Sequence, residues 1–202
     1  DGIRHDLVTG VQTCALPILI FVERLGKEKN ISFLLKAFQQ VHRHNPKATL
    51  FVAGDGPEKE ALFAEAKLLG IADKLRMPGY LSHQDIFTAY AASDIITFAS
   101  QTETQGLSLI EGLAMAKPAV CIEAFGVSDI LLNEQGGFLT PDNVDAFSQK
   151  ILLLMNDKAL YQQKAQQAKA RANAFLPEQM AKNMVAVYRQ AIDRKKNKGR
   201  TT

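Results

Sequence analysis

The sequence predicts a doubly wound α/β domain, a parallel sheet with helices on both faces. From Leu19 onward, short β-branched or apolar runs alternate with segments whose apolar residues recur at helical spacing, which is the pattern of repeated βαβ units. Helix-start signals fall where that alternation requires them. A chain of 202 residues that is 47% apolar and 22% charged also has the length and composition of a soluble globular domain with a sizeable core.

Taken in order, LIFVER (Leu19–Arg24) and ATLFVA (Ala48–Ala53) are strands by composition. KLR (Lys74–Arg76) is a weaker strand, and IITFA (Ile95–Ala99), AVCI (Ala119–Ile122) and GFL (Gly137–Leu139) bring the total to about six. Between them the spacing predicts helices over Ile31–His44, Pro57–Leu69, His83–Ala92 and Leu107–Met115. Asn30 and Ser82 stand as N-caps, and Pro57 suits a first helical position because its missing N–H needs no partner there. After Gly137 three helices follow without a strand, Val144–Met155, Lys158–Asn173 and Pro177–Arg194. The organisation expected is a domain over 19–175, then a last helix and basic tail over 176–202. Residues 1–18 are set aside, because Val8–Ile18 resembles a translated sequencing adapter. On that reading Cys14 is irrelevant, and the natural chain begins further upstream with room for a whole preceding domain.

Several function classes are excluded. A net charge of +3 and a pI near 8.8 give no strong basic field for nucleic acid. No apolar run reaches the roughly 18 residues of a membrane span. Two cysteines, Cys14 and Cys121, make no disulfide framework, and no His or Cys pair has metal-ligand spacing. The expected compartment is the reducing cytoplasm. The basic end RKKNKGRTT is either a solvated tail or a weak contact to an anionic membrane face.

Ligands of an open parallel sheet bind beyond the carboxyl ends of its strands, so the segments there are the candidates. Arg24-Leu-Gly-Lys-Glu-Lys29 places cations around a flexible Gly after the first strand, a solvated loop or a phosphate clamp. Gly54-Asp-Gly56-Pro57 is a tight turn after the second. Lys59 stands where a dinucleotide fingerprint needs its third Gly, which disfavours NAD and FAD. The sharpest segment is Glu103-Thr-Gln-Gly106-Leu-Ser-Leu-Ile-Glu111. Gly106 removes bulk where a helix opens, so the amides of Leu107 and Ser108 can donate to an anion with the helix dipole behind them. Glu111 lies one turn further in, roughly 6 Å along the axis, placed for a diol such as ribose. Glu103, before the turn, is placed for a second set of hydroxyls. Phe125-Gly-Val-Ser128 is expected as a loop bordering the same crevice.

Together these residues resemble the nucleotide-binding C-terminal domain of retaining, nucleotide-sugar-dependent glycosyltransferases of the GT-B architecture, which pairs two Rossmann-like domains. The resemblance runs from about Leu19 to Arg194. Its most specific part is Glu103-x7-Glu111 followed by Gly-Leu-Ala-Met-Ala-Lys-Pro118; FVERLGKEKN resembles the family's Arg-x4-Lys diphosphate clamp, and VAGDGP and Pro78-Gly-Tyr-Leu81 match further positions. The resemblance implies that Arg24 and Lys29 neutralise the diphosphate, that Gly54, Gly56 and Gly106 belong to the nucleotide-sugar site, and that Glu111 holds ribose while Glu103 holds the sugar. It implies no metal and no cofactor, a hexose moved with retention, and a missing N-terminal acceptor domain. Two departures stand out. Glu23 replaces the usual Gly before the clamp Arg and would weaken the diphosphate field if turned inward, although strand alternation points it away from Arg24. Lys117 replaces a frequent Gly before Pro118, a change expected to be harmless. The form Thr-Glu-Thr-Gln-Gly106 resembles members that glucosylate diacylglycerol, which implies UDP-glucose as donor, a lipid or glycan acceptor and a peripheral position at the inner membrane face. A non-catalytic nucleotide-binding or flavodoxin-like module is the rival reading, since the fold alone does not separate the two.

Overall fold

The computed structural model describes residues 17–198. Cys14 and most of the segment set aside as 1–18 lie outside the described residues, as does the end of the basic tail. Ile18 does not: it opens the first strand, its amide donates to the Asp94 carboxylate at 2.8 Å, and the Pro17 carbonyl accepts from Thr49.

Six strands form one parallel sheet: β1 (Ile18–Val22), β2 (Thr49–Ala53), β3 (Leu75–Gly79), β4 (Ile95–Phe98), β5 (Ala119–Ile122) and β6 (Gly137–Thr140). Their order is β3-β2-β1-β4-β5-β6. The chain therefore winds one way from β1 to β3, then returns to pair β4 with β1 at Leu19–Ile95 and Ile20–Ile96 and winds the other way. The helices are α1 (Ile31–His44), α2 (Lys59–Leu68), α3 (His83–Ala92), α4 (Leu107–Ala114), α5 (Phe125–Ile130), α6 (Val144–Asn156), α7 (Lys158–Ala172) and α8 (Pro177–Lys198). The expected doubly wound α/β architecture is the one observed.

The period of two along β1 builds both layers at once. Leu19 and Phe21 face a core made with Phe33, Leu34 and Phe38 of α1 and Phe147 and Ile151 of α6. Ile20 faces the opposite core, with Tyr90 of α3, Leu109 and Leu113 of α4 and Val127 of α5. Helix α1 buries Ile31, Phe33, Leu34, Leu35, Ala37, Phe38 and Val41, each large side chain contributing about 1.5–3 kcal/mol of transfer free energy. Truncating the fully buried Phe38 to Ala costs about 3–5 kcal/mol.

Boundaries moved where local chemistry was misread. Ser82 caps α3 as expected, accepting from the Asp85 amide at 3.2 Å. Asn30 instead takes the left-handed conformation, φ 53°, and makes no side-chain cap. Pro57 lies in a turn and α2 starts at Lys59. β3 runs on past Arg76 to Gly79. The Phe125–Ser128 loop is the first part of α5. Helix α8 is exposed along its length to Lys195, with Met184, Val187 and Ile192 each more than half exposed. Among the described residues no helix is long and apolar enough to cross a membrane.

Candidate functional site

The reversal of winding between β1 and β4 splays the loops that leave these two strands, because one leads to α1 on one face and the other to α4 on the opposite face. An open cleft of about 320 Å³ lies there, lined by Val22, Glu23, Lys29, Glu103, Thr104, Gln105, Leu107 and Ser108. This is the switch-point position at which sheets of this kind bind ligands.

One wall is the mouth of α4. Gly106 is its N-cap in the left-handed conformation, φ 56° and ψ 41°, and a Cβ there would sit 2.5 Å from the Ile130 side chain. The left-handed backbone favours glycine, and any larger residue would also have to push the Ile130 methyl aside. Ahead of it, Oε1 of Glu103 accepts from the amides of Thr104 at 3.1 Å, Gln105 at 3.2 Å and Gly106 at 3.0 Å. Its Oε2 accepts from Lys29 Nζ at 3.0 Å. Burial alone would push this carboxyl up, but the Gly106 amide, Lys29 and the Gln105 amide overcome it and hold Glu103 down at about 2. The next amides, of Leu107 and Ser108, stand in the first turn of α4 and have no acceptor within their helix. Leu107 is 63% exposed at the rim.

Lys29 arrives from the other wall, the loop after β1, which a short 3-10 turn over Lys27–Lys29 shapes. Its Nζ lies 2.8 Å from Glu23 Oε2 as well as 3.0 Å from Glu103 Oε2, with 15% of the side chain exposed. Burial would lower the ammonium pKa; hydrogen bonds to the two carboxylates outweigh it and raise it.

Glu23 overturns an expectation. Alternation was to set it opposite to Arg24, and the two do part, but it is Glu23 that turns into the cleft, where β1 ends at Val22 and the chain bends. Its Oε1 accepts from the Ser108 hydroxyl at 2.8 Å. Arg24 takes the outward place: its guanidinium pairs with Glu28 at 2.6 Å, the side chain is 63% exposed, and it does not line the cleft. The cleft thus holds one lysine against two carboxylates.

Glu111 sits one turn inside α4 and half-buried. Burial raises its carboxyl pKa, His83 opposes this, and Glu23 adds to it. Tyr90 backs this turn, donating its hydroxyl to the Ser108 carbonyl at 2.6 Å. Gly54 and Gly56 do not line the cleft; they lock its floor. A Cβ on Gly54 (φ 142°) would lie 1.9 Å from the Glu23 carbonyl, and one on Gly56 would lie 2.4 Å from the Leu25 carbonyl. Hydrogen bonds from Glu23 to Ala53, Leu25 to Asp55 and Glu58 to Leu25 zip these loops together. Lys117 reaches across from the end of α4 to the Ala91 carbonyl at 2.9 Å. No group of His, Cys, Asp and Glu suited to a metal occurs among the described residues. Sequence reasoning missed Tyr90, whose signal was a tyrosine on the apolar face of α3, and missed the three-amide grip of Glu103, whose signal was an acceptor three residues before a helix-opening Gly.

A parallel sheet wound both ways from β1, with an anion-suited helix mouth at its switch point, defines a Rossmann-like ligand-binding domain. The chain belongs to the family Glycosyl transferases group 1, whose sequence profile matches residues 15–171. It is similar to the alpha-monoglucosyldiacylglycerol synthase of Acholeplasma laidlawii, 26% identical over 198 residues, 98% of this chain and 47% of that protein. Its fold is that of the C-terminal domain of the group 1 glycosyl transferase LpcC from Francisella tularensis, with a TM-score of 0.71 and 23% identity over 79% of this chain and 85% of that one. It is also that of the pneumococcal O-GlcNAc transferase GtfA in complex with UDP and GlcNAc, TM-score 0.75 and 22% identity over 87% of this chain and 36% of that one. The chain spans less than half the length of the curated relatives it matches, 40%, 23% and 47% of the first three.

Proposed function

We propose that this chain is the donor-binding half of a retaining GT-B glycosyltransferase, which moves a hexose from a nucleoside-diphosphate sugar to an acceptor held by a preceding domain. The observation that carries the reading is the Gly106-opened mouth of α4 beside Lys29 at the β1/β4 switch point. Lys29 and the Leu107 and Ser108 amides meet the diphosphate, and Arg24 joins them by swinging in from its exposed pair with Glu28. Glu111, one turn into α4, takes the ribose hydroxyls. Glu103 meets the sugar through the loop it holds, since its own oxygens are engaged. The bond from the anomeric carbon to the diphosphate breaks, the bond to the acceptor oxygen forms on the same face, and a diphosphate oxygen takes the acceptor's proton. The protein's part is electrostatic: the helix dipole and the cations stabilise charge developing on the leaving diphosphate. No carboxylate serves as a glycosidase-type nucleophile, and the reading calls for no cofactor or metal. UDP-glucose as donor and a glycolipid acceptor are supported by likeness to the Acholeplasma synthase and by the Thr-Glu-Thr-Gln-Gly106 segment. Saturation-transfer NMR with UDP, ADP, GDP and FMN tests the reading: a nucleoside diphosphate is expected to bind, and binding of FMN alone sinks it in favour of a flavodoxin-like module.

A further inference from the structure

The cleft contains an anion of its own. Glu23 spends both carboxylate oxygens on the groups that an incoming phosphoryl group would need: Oε1 on the Ser108 hydroxyl at 2.8 Å, in the first turn of α4, and Oε2 on Lys29 at 2.8 Å. Only 15% of its side chain is exposed. Its backbone cannot yield to make room, because the Glu23 carbonyl is packed against Gly54, where even a Cβ would come within 1.9 Å, and its amide is bonded to Ala53. The side chain can rotate, since the cleft beside it is open.

We propose that Glu23 is the affinity-setting residue of this cleft, a resident carboxylate that an anionic ligand must displace from Lys29 and from the first turn of α4. This rests on the donor-binding reading for the identity of the ligand, a nucleoside diphosphate. The physical claim concerns phosphoryl anions in general. A phosphoryl group at contact distance would be a third anion around one lysine that already holds Glu23 and Glu103, and that added repulsion is weakly screened where water is partly excluded. Binding is therefore an exchange, and its free energy is the ligand's attraction less that of Glu23. With the site emptied of Glu23's charge, Lys29 keeps Glu103 as a partner and the first-turn amides face the ligand alone.

The experiment is isothermal titration of the full chain and of its Glu23→Gln and Glu23→Gly variants with UDP and with inorganic pyrophosphate, at low and moderate salt, after thermal melting has shown each variant folded. Both variants are expected to bind tighter than the parent by roughly tenfold, 1.4 kcal/mol, with the gain shrinking as salt rises. Unchanged or weaker binding in Glu23→Gln overturns the proposal, and tightening in Glu23→Gly alone does so too, because it assigns the effect to bulk. Pyrophosphate bound tighter by the variants while no nucleoside diphosphate binds supports the exchange and defeats the donor-binding reading. Nucleoside diphosphate bound equally by all three chains does the reverse. Binding of neither probe by any chain overturns both.

Discussion

Replacing Glu103 by Gln tests the claim that one carboxylate holds the ligand loop shut against α4. The folded-state pKa of Glu103 is held at about 2 against an ordinary 4.5, so the folded protein binds its proton less readily than the unfolded chain. Stability from this group is fully present above pH 4.5 and is lost as pH falls towards 2. Linkage at 1.36 kcal/mol per pKa unit gives an upper bound of about 3 kcal/mol near pH 6. The same relation leaves about 1.4 kcal/mol at pH 3, so the advantage of the parent over Glu103→Gln narrows by about 2 kcal/mol across that range. The bonds to the Thr104 and Gln105 amides lie at the exposed rim, so solvent screening brings the stabilisation below this upper bound. Carboxylates far from Lys29 cancel in the difference between the two proteins. Urea denaturation of parent and variant at pH 6, 4.5 and 3 measures it. A gap that stays constant over the three pH values, or no gap at pH 6, refutes the reasoning.

Gly54→Ala is expected to cost about 3 kcal/mol or more, from a strained φ and overpacking against fixed backbone; a loss under 1 kcal/mol by urea denaturation contradicts the loop lock. Glu111→Gln should weaken UDP binding about tenfold, the worth of one charge-assisted hydrogen bond, while leaving the melting temperature unchanged or raised, since burial disfavours its charge; calorimetry with UDP showing no loss removes it from the ribose role. The exposed Met184, Val187 and Ile192 on α8 make an apolar stripe of the kind that promotes association. Sedimentation velocity is expected to show concentration-dependent self-association that Val187→Glu reduces, and a monomer at all concentrations contradicts it.

The fold was legible because its signals are periodic. Helix α1 reads correctly to the residue at both ends, since seven buried side chains repeat on one face, and β5 does so because AVCI is apolar throughout. The short helix α5 was not, because six residues containing a Gly offer less than two turns of pattern. In the site, the place of Gly106 at the opening of α4 could be read directly. The direction of Glu23 could not: it depends on whether β1 ends at Val22 or at Arg24, and strand ends are set by pairing with neighbours, here the register of Val22 with Ala53, that a single segment does not reveal. The partners of Glu103 were hidden for a related reason, as a carboxylate that caps three amides has the same letter as one that waits for a sugar.

Lys29 and Glu103 therefore have two tasks that oppose each other. Without ligand, Glu103 neutralises Lys29 and pins the loop over 103–106, which gives a stable and preorganised mouth at α4. With an anion bound, Lys29 must share its charge three ways, and each carboxylate kept within reach lowers what remains for the ligand. Glu103 cannot leave without releasing three backbone amides. Glu23 is tied only by one lysine and one hydroxyl, so it is the group whose departure costs least. The order of departure in the proposed exchange follows from that difference: an incoming anion would displace Glu23 first and leave the Glu103 loop intact.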